Sequence, residues 1–483
     1  MSRVGEPVRH GLDRKTEGTS GASSVRHRAV LLSCVGVALI VVGAALSAAS
    51  APSFVHARNY RTGVLPVAIA VGDLNGDGKP DLATANPATD NSTDTVSVLL
   101  NHGDGTFGAK HNYGTRPFPL SIAVGDLNGD GKGDVVTANF GQRTVSVLLN
   151  RGDGSLQPRR DYPTGEYPLS VAIGDLNGDG KADLVTGNRG PDGVSVLLNG
   201  GDGSFRAKRD YRGGGFSVAI GDLNGDGQPD IATYASVLVN RGDGSFNVRR
   251  EGPDGFWVGI ADMNGDGKPD LVGANMTIVH ADTLTVSVLL NRGDGSFLPG
   301  RESLAGRYPN SGTYGPSSVA LGDLNGDGKP ELAIACCDKP VVSVLPNRGD
   351  GRFGPKLEYR TGRPTHIPGT SPPTLLLPDS AFSASIGDLN GDGKLDLAVA
   401  NYSSSTVSVL LDVPGLCTVQ DVRGITLLAA KQTLARANCR AGKIRRAYSR
   451  TVKRGRVISQ KPKFGAVLRG RGKVNLVLSR GSK

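Results

Sequence analysis

Asp73, Asn75, Asp77 and Asp81 occupy positions 1, 3, 5 and 9 of the run Asp-Leu-Asn-Gly-Asp-Gly-Lys-Pro-Asp, with Lys79 at position 7. The chemistry on offer is oxygen coordination. A hard cation such as Ca2+ takes about 6 to 8 oxygen ligands, and side chains at 1, 3, 5 and 9 with the main-chain carbonyl of position 7 supply most of that shell. Gly78 follows the third side-chain donor because the chain turns sharply there, which a residue without Cβ does at least steric cost. The frame returns at Asp126, Asn128, Asp130, Lys132 and Asp134; at Asp175, Asn177, Asp179, Lys181 and Asp183; and at Asp222, Asn224, Asp226, Gln228 and Asp230. Three further copies are Asp262, Asn264, Asp266, Lys268 and Asp270; Asp323, Asn325, Asp327, Lys329 and Glu331; and Asp388, Asn390, Asp392, Lys394 and Asp396. The sixth copy ends on a glutamate, a longer arm than the aspartate of the other six. The expected cofactor is Ca2+, up to seven ions.

An EF-hand needs a bidentate acid at position 12 between two helices. Here position 12 is Thr84, Thr137, Thr186, Thr233, Gly273, Ile334 or Val399, none of which carries a carboxylate. The flanks, Val67-Ala-Ile-Ala-Val71 before the first loop and Leu82-Ala-Thr-Ala after it, have strand character instead.

The elements that hold these loops are legible from a second constant motif, Val-Ser-Val-Leu-Leu-Asn-x-Gly-Asp-Gly-x-Phe. It runs over 96–107, 145–156, 194–205, 286–297 and 342–353, with a shortened form over 235–246. Asp-Gly after a β-branched run is a hairpin signal. Each unit therefore reads strand, metal loop, strand, link, strand, Gly-Asp-Gly turn, strand. Four antiparallel strands in a repeat of roughly 50 residues mark a β-propeller blade. After Val407-Ser-Val-Leu410 comes Leu411-Asp-Val-Pro414, with no such turn and no fourth strand. Phe54 and Tyr60 supply the missing piece, standing six apart as do Phe107 and Tyr113, Phe205 and Tyr211, and Phe353 and Tyr359. The expectation is a mainly β protein, a seven-bladed propeller over 53–412 whose N-terminal strand completes the last blade and removes its open edges.

The two motifs resemble the FG-GAP or VCBS repeats, calcium-binding propeller repeats also found in integrin alpha subunits. The resemblance implies that the loops are scaffold, that the residues at positions 1, 3, 5 and 9 hold the ions, and that ligands are met on another surface.

Arg-Gly-Asp occurs at Arg151, Arg241, Arg292 and Arg348, but always in the Asn-x-Gly-Asp-Gly turn, where other copies carry His102 and Gly200. The turn accounts for it without cell adhesion. Asn91, Asn275 and Asn401 begin N-glycosylation tripeptides, which matter only in a glycosylating host. The chain's one tryptophan, Trp257, falls five residues before a first ligand position, where packing is the simpler role and sugar stacking the alternative. The longest departures from the repeat, 302–316 and 361–381 with His366, read as irregular loops.

Both ends differ from the middle. Arg26-His-Arg28 precedes an apolar run over 29–46 and small residues ending Ala49-Ser-Ala51. After a basic segment 1–28, residues 29–51 thus read as an apolar helix, either a signal peptide or a membrane anchor, and either exports the rest. From 414 to 483 the chain carries +17, with Asp421 as its one acid, whereas residues 53–413 carry −10. In that basic tail Thr426 can cap a helix whose Leu427, Ala430, Leu434 and Ala437 share a face, and Asn438 can stop it. Cys417 and Cys439 flank the helix and could pair, while Cys336 and Cys337 read as buried or free thiols. The Ser459-Gln-Lys-Pro462-x-x-Gly465 turn and the closing Val474-Asn-Leu-Val-Leu-Ser479 strand resemble a PASTA domain over 413–483, with Gln420 where that family usually has proline. This second resemblance implies a small α+β module of bacterial wall-sensing proteins.

The sequence therefore points to an exported bacterial protein, extracellular or at the cell surface: a non-enzymatic adhesion or ligand-binding propeller. Its expected partners are an unknown glycan or protein, and peptidoglycan or another anionic wall polymer through the tail. A polysaccharide-acting enzyme of lyase or dehydratase type is the alternative, weakened because none of the seven histidines sits in a catalytic constellation. Nucleic acid is not an expected partner: export argues against it, and Tyr448 and Phe464 are the tail's only aromatics for stacking.

Overall fold

The structure, a computed structural model, describes residues 52–482 apart from 56, 89–92, 254, 278–282, 308–317, 336–339, 363–379 and 414. The first strand, β1 (Arg58–Arg61), opens no blade. It pairs antiparallel with Thr406–Leu410 and so becomes the outer strand of the last four-stranded sheet. Blade one then follows as β2 (Ala68–Gly72), β3 (Asp81–Asn86), β4 (Thr95–Leu99) and β5 (His111–Gly114), each bonded to the next. Five more sheets repeat that order before the closing one, giving the seven-bladed propeller that the repeats predicted. The innermost strands touch around the ring, from β2 through Pro119–Gly125 and onward to Ala381–Gly387, which returns to β2.

The apolar residues of these strands are mainly Val, Leu, Ile and Ala, and they fill the space between facing sheets. In β3 every residue of Asp-Leu-Ala-Thr-Ala-Asn is buried, and its apolar members are fully enclosed. Larger rings lie at the outer seams, where a tyrosine of one blade meets the phenylalanine at the Gly-Asp-Gly turn of the next. Tyr162 meets Phe205 at 5.1 Å between ring centroids, Tyr211 meets Phe246 at 5.5 Å and Tyr60 meets Phe107 at 5.3 Å. Blade seven has no such turn, and Phe54 fills the vacancy, edge-on to Tyr359 at 4.9 Å while the Tyr359 hydroxyl donates to the Pro52 carbonyl at 2.5 Å.

The C-terminal domain packs directly on this closure. The helix α1 (Leu427–Arg436) is capped by Thr426, whose hydroxyl accepts from the Ala429 amide, and Asn438 takes the left-handed stop with φ 53°. It buries Ala430 and Leu434 beside a three-stranded sheet of Arg440–Ala447, Lys473–Ser479 and Val457–Lys461, and Cys417 is disulfide-bonded to Cys439. One hydrophobic cluster runs from Val342, Val344, Tyr359 and Phe54 into Val419, Val422, Leu434 and Leu476. The Thr418 hydroxyl donates to the Phe54 carbonyl at 2.9 Å, Gln420 accepts from the Glu358 amide at 2.8 Å, and the Arg360 guanidinium lies 4.9 Å over the Phe464 ring.

One expectation changes. Glu302 to Arg307 is not irregular, because the strand Arg301–Arg307 pairs with Thr283–Leu289 along its length and extends the edge of blade five. The N-terminal segment, the apolar helix over 29–51, Cys336, Cys337 and His366 lie outside the described residues. Among the described residues no helix is long and apolar enough to cross a membrane.

Since Phe54 is 1% exposed, Phe54→Ala removes a ring from both the closing seam and the interdomain core. The expected loss is about 3–5 kcal/mol, read by chemical denaturation; a loss below about 1 kcal/mol would mean that blade seven closes without it.

Candidate metal centre

Each loop joins the two inner strands of its blade. In the first, Asp73 sits just past β2, and its carboxylate accepts the amides of Asn75, Gly76 and Gly78 at 3.2, 2.7 and 2.8 Å. Asn75 Oδ1 accepts the Asp77 amide at 3.0 Å, and Asp77 accepts the Lys79 amide at 3.0 Å. Gly76 and Gly78 hold φ of 73° and 77°, a region that side-chain-bearing residues seldom enter. Positions 1, 3 and 5 are thereby folded over one another on the loop, with position 7 next to them.

Position 9 sits differently. Asp81, Asp134, Asp183, Asp230, Asp270, Glu331 and Asp396 are all fully buried at the start of the second strand. Asp81 accepts the Leu74 amide at 2.9 Å through one oxygen and the Asn101 amide at 2.7 Å through the other. The same pair of bonds recurs in the remaining blades. Burial pushes the Asp81 carboxyl up to about 6 against these hydrogen bonds, and the charges of Asp77 and Asp73 add to the rise. Asp134, Asp183 and Asp270 reach about 6 and Asp396 about 7 for the same reasons, and Asp230 is raised likewise.

Among the described residues no three Asp, Glu, His or Cys side chains form a ready metal cluster on their own. The loop's donors are mixed: carboxylates at 1, 5 and 9, an amide oxygen at 3 and a carbonyl at 7. All are oxygen, and they suit Ca2+ rather than the softer metals that select imidazole or thiolate. Burial, and to a smaller extent the carboxylates at positions 1 and 5, lifts position 9, and a divalent ion in the loop would offset both.

The sixth loop is wired differently. Glu331 Oε1 accepts from Asn325 Nδ2 at 2.7 Å, which turns Asn325 away from its loop. The Asp327 amide keeps only its bond to Asp323, one that loops two, three, five and seven also make, and Asn325 Oδ1 is buried with no partner among the described residues. The Asn347 amide reaches Glu331 only at 3.4 Å, and burial, aided by Asp327 and Asp323, pushes the Glu331 carboxyl up to about 8.

The asparagine of the second motif had a role that the motif alone did not disclose. Asn101 Nδ2 donates to the Pro80 carbonyl of its own blade at 2.8 Å and to the Leu389 carbonyl of the neighbouring loop at 2.9 Å. Asn199, Asn240 and Asn291 bridge their seams the same way, and Asn150 does so between Gly133 and Leu74. The signal was present as an Asn in six copies and Asp412 in the seventh. The Arg-Gly-Asp segments are turns, as expected: Asp153, Asp243, Asp294 and Asp350 each accept the amide two residues on. Trp257 is partly buried against the core of blades five and six, and Asn401 is wholly buried.

Comparison with known families agrees with this geometry. An FG-GAP-like repeat profile matches residues 73–137, 126–186, 175–233, 262–334 and 323–399, and a PASTA domain profile matches 418–480. The repeats span more than half of the chain, which therefore belongs to the FG-GAP-like repeat family and ends in a PASTA domain. No curated protein matches it. Similar solved structures include an Agrocybe aegerita lectin recognising non-reducing terminal N-acetylglucosamine, 23% identical over 63% of this chain and 80% of that one, TM-score 0.42. BBS1N in complex with ARL6DN is 11% identical over 75% and 98%, TM-score 0.48. The Photorhabdus luminescens Tc holotoxin pore is 20% identical over 75% and 15%, TM-score 0.36.

Glu331→Asp gives loop six the residue its six counterparts carry. It should free Asn325 for the Asp327 amide and tighten the Asn347 bond, each worth about 0.5–1.5 kcal/mol net. The variant is expected to melt higher than the parent in calcium; an equal or lower midpoint would show that loop six does not depend on the length of this arm.

Proposed function

We propose that this is an exported, calcium-stiffened propeller that binds a glycan without transforming it and is held to the bacterial wall by its basic PASTA domain. The observation that carries the reading is a half-exposed aromatic shelf at the blade ends away from the metal loops. Pro119 pairs with Asn139 at that end, whereas Gly125 pairs with Asp134 beside the loop. On the shelf Phe118 is 48% and Tyr167 42% exposed, and Phe140 lies 5.1 Å from Tyr167. Phe118 and Tyr167 hold φ of 57° and 56°, as Leu65 does at the equivalent point of blade one with 55°. A side-chain-bearing residue in that region costs of order 1–3 kcal/mol and persists where the surroundings enforce it, commonly at ligand sites. The Arg143–Glu166 ion pair at 2.8 Å borders the rings, so flat apolar faces lie beside planar hydrogen-bonding groups. That combination suits a pyranose, whose C–H face stacks on a ring while its hydroxyls bond at the rim.

Wall association is supported by the charge of the last domain. A cavity of about 540 Å3 is lined by Arg446, Tyr448, Arg454 and Arg480, with the Arg480 guanidinium 5.7 Å over the Tyr448 ring. The domain's one acid, Asp421, is taken by Arg423 at 2.6 Å, which leaves these arginines for an external polyanion.

A glycan and muropeptide screen of the full chain in calcium, repeated on Phe118→Ala/Tyr167→Ala, tests the shelf. A glycan that the parent binds and the variant binds at least tenfold more weakly is expected; no glycan bound, or equal binding by both, contradicts the reading. For the tail, the chain should sediment with purified cell wall at 0.1 M salt and leave it at 1 M, as the Debye length shrinks from about 10 to about 3 Å. Failure to sediment at low salt removes wall association.

A further inference from the structure

Six of the seven seams are crossed by an asparagine, the sixth by Asn347, whose Nδ2 donates to the Met263 carbonyl of the neighbouring loop at 3.1 Å, and the seventh is not. Asp412 stands in that place, so the Nδ2 donor of Asn101 and its counterparts is replaced by an acceptor. Asp412 is 5% exposed, and its Oδ1 accepts the Ser53 amide at 2.6 Å, much as Asn101 Oδ1 accepts the Gly103 amide at 2.8 Å. Its Oδ2 has no hydrogen-bond donor among the described residues. The two carbonyls that an asparagine would have met belong to Leu324 of loop six and Leu395 of loop seven, and neither has a donor among the described residues. All three residues line one cavity of about 280 Å3, together with Pro52, Asp323 and Asn325. A buried carboxylate and two carbonyls thus share a space that a nitrogen donor occupies at every other seam.

We propose that this cavity, at the seam between loops six and seven, is a cation site additional to the seven loop sites, in which a hard metal ion replaces the missing amide by bridging Asp412 to the carbonyls of Leu324 and Leu395. The chemical class follows from the donors, which are all oxygen and include a buried negative charge. Calcium is the ion taken as probe. Lys394 also lines the cavity and is the internal competitor. In loops one and six the corresponding lysine stem lies against the first glycine of the Gly-Asp-Gly turn, Lys79 at Gly103 and Lys329 at Gly349. Blade seven lacks that turn; its lysine stands close enough for its charge to act on Asp412, yet among the described residues the two form no ion pair.

The test compares the full chain with Asp412→Asn and Lys394→Gln, the latter placing at loop seven what Gln228 already is at loop four. Bound calcium per chain is counted by metal analysis after equilibration, and melting is followed in calcium and in chelator. Asp412→Asn should bind one ion fewer than the parent and melt higher in chelator, because its amide restores the bridge to both carbonyls. Lys394→Gln should keep the parent's count, because position 7 of loop seven would offer its main-chain carbonyl whatever the side chain, as with Gln228 in loop four. An unchanged count in Asp412→Asn overturns the proposal. So does a Lys394→Gln protein that melts lower than the parent in both calcium and chelator, since the lysine would then be the partner of Asp412. Should Asp412→Asn fail to fold, Lys394→Gln decides alone. A parent that binds one ion and an Asp412→Asn protein that binds none would uphold the seam while rejecting the loops.

Discussion

A fully buried carboxylate at the start of each second strand, accepting one amide from its own Asp-rich loop and one from the end of its third strand, is the interaction on which the propeller depends. Through Asp81 the loop, the second strand and the third strand of blade one are fixed to a single side chain. Asn101, held by that bond, reaches across to the Leu389 carbonyl of the neighbouring loop. Carboxylate and asparagine together link the seven loops across six of the seven seams, since whatever orders one loop also positions the carbonyl that the next blade grips. The cost sits in the same place. Burial disfavours the charge, and the carboxylates at positions 1 and 5 disfavour it further. A divalent ion bound to the loop would offset both.

Much of this was legible in the sequence, for physical reasons that differ from residue to residue. Asp73, Asn75, Asp77 and Asp81 were readable because their spacing, with glycines between, suits one compact loop. The closing strand was readable because Phe54 and Tyr60 reproduce the spacing of Phe107 and Tyr113, and the structure pairs Tyr60 with Val407. The bridging role of Asn101 was not, since its partner lies 288 residues away and an asparagine before Gly-Asp-Gly is sufficiently explained by a turn. The aromatic shelf was hidden similarly: Phe140 and Tyr167 come from different blades and meet only in the ring. Glu302 to Arg307 looked irregular because Ser303 stands six residues after Phe297, where Phe107, Phe205 and Phe353 are each followed by a tyrosine.

Gln420 shows how a departure from a family pattern acquires a use. Proline has no side-chain acceptor, whereas Gln420 is 3% exposed, takes the Glu358 amide from the outer strand of blade six, and donates to the Thr418 carbonyl. The C-terminal domain therefore covers an edge that a β-sheet must protect and braces the closing blade through Thr418 and Phe54. Its arginine-lined cavity is consequently carried on the same packed body as the propeller.

The central claim, that the loop carboxylates are balanced by calcium and that the ring is stiff for that reason, is tested most directly by melting the protein before and after ion removal, with the removal verified by metal analysis. An ion that binds the native state alone adds stability by mass action, about 2.7 kcal/mol at a concentration one hundred times its dissociation constant. The account predicts a clearly lower melting temperature after chelation, restored when calcium is returned. An identical melting curve for the ion-free protein would contradict it.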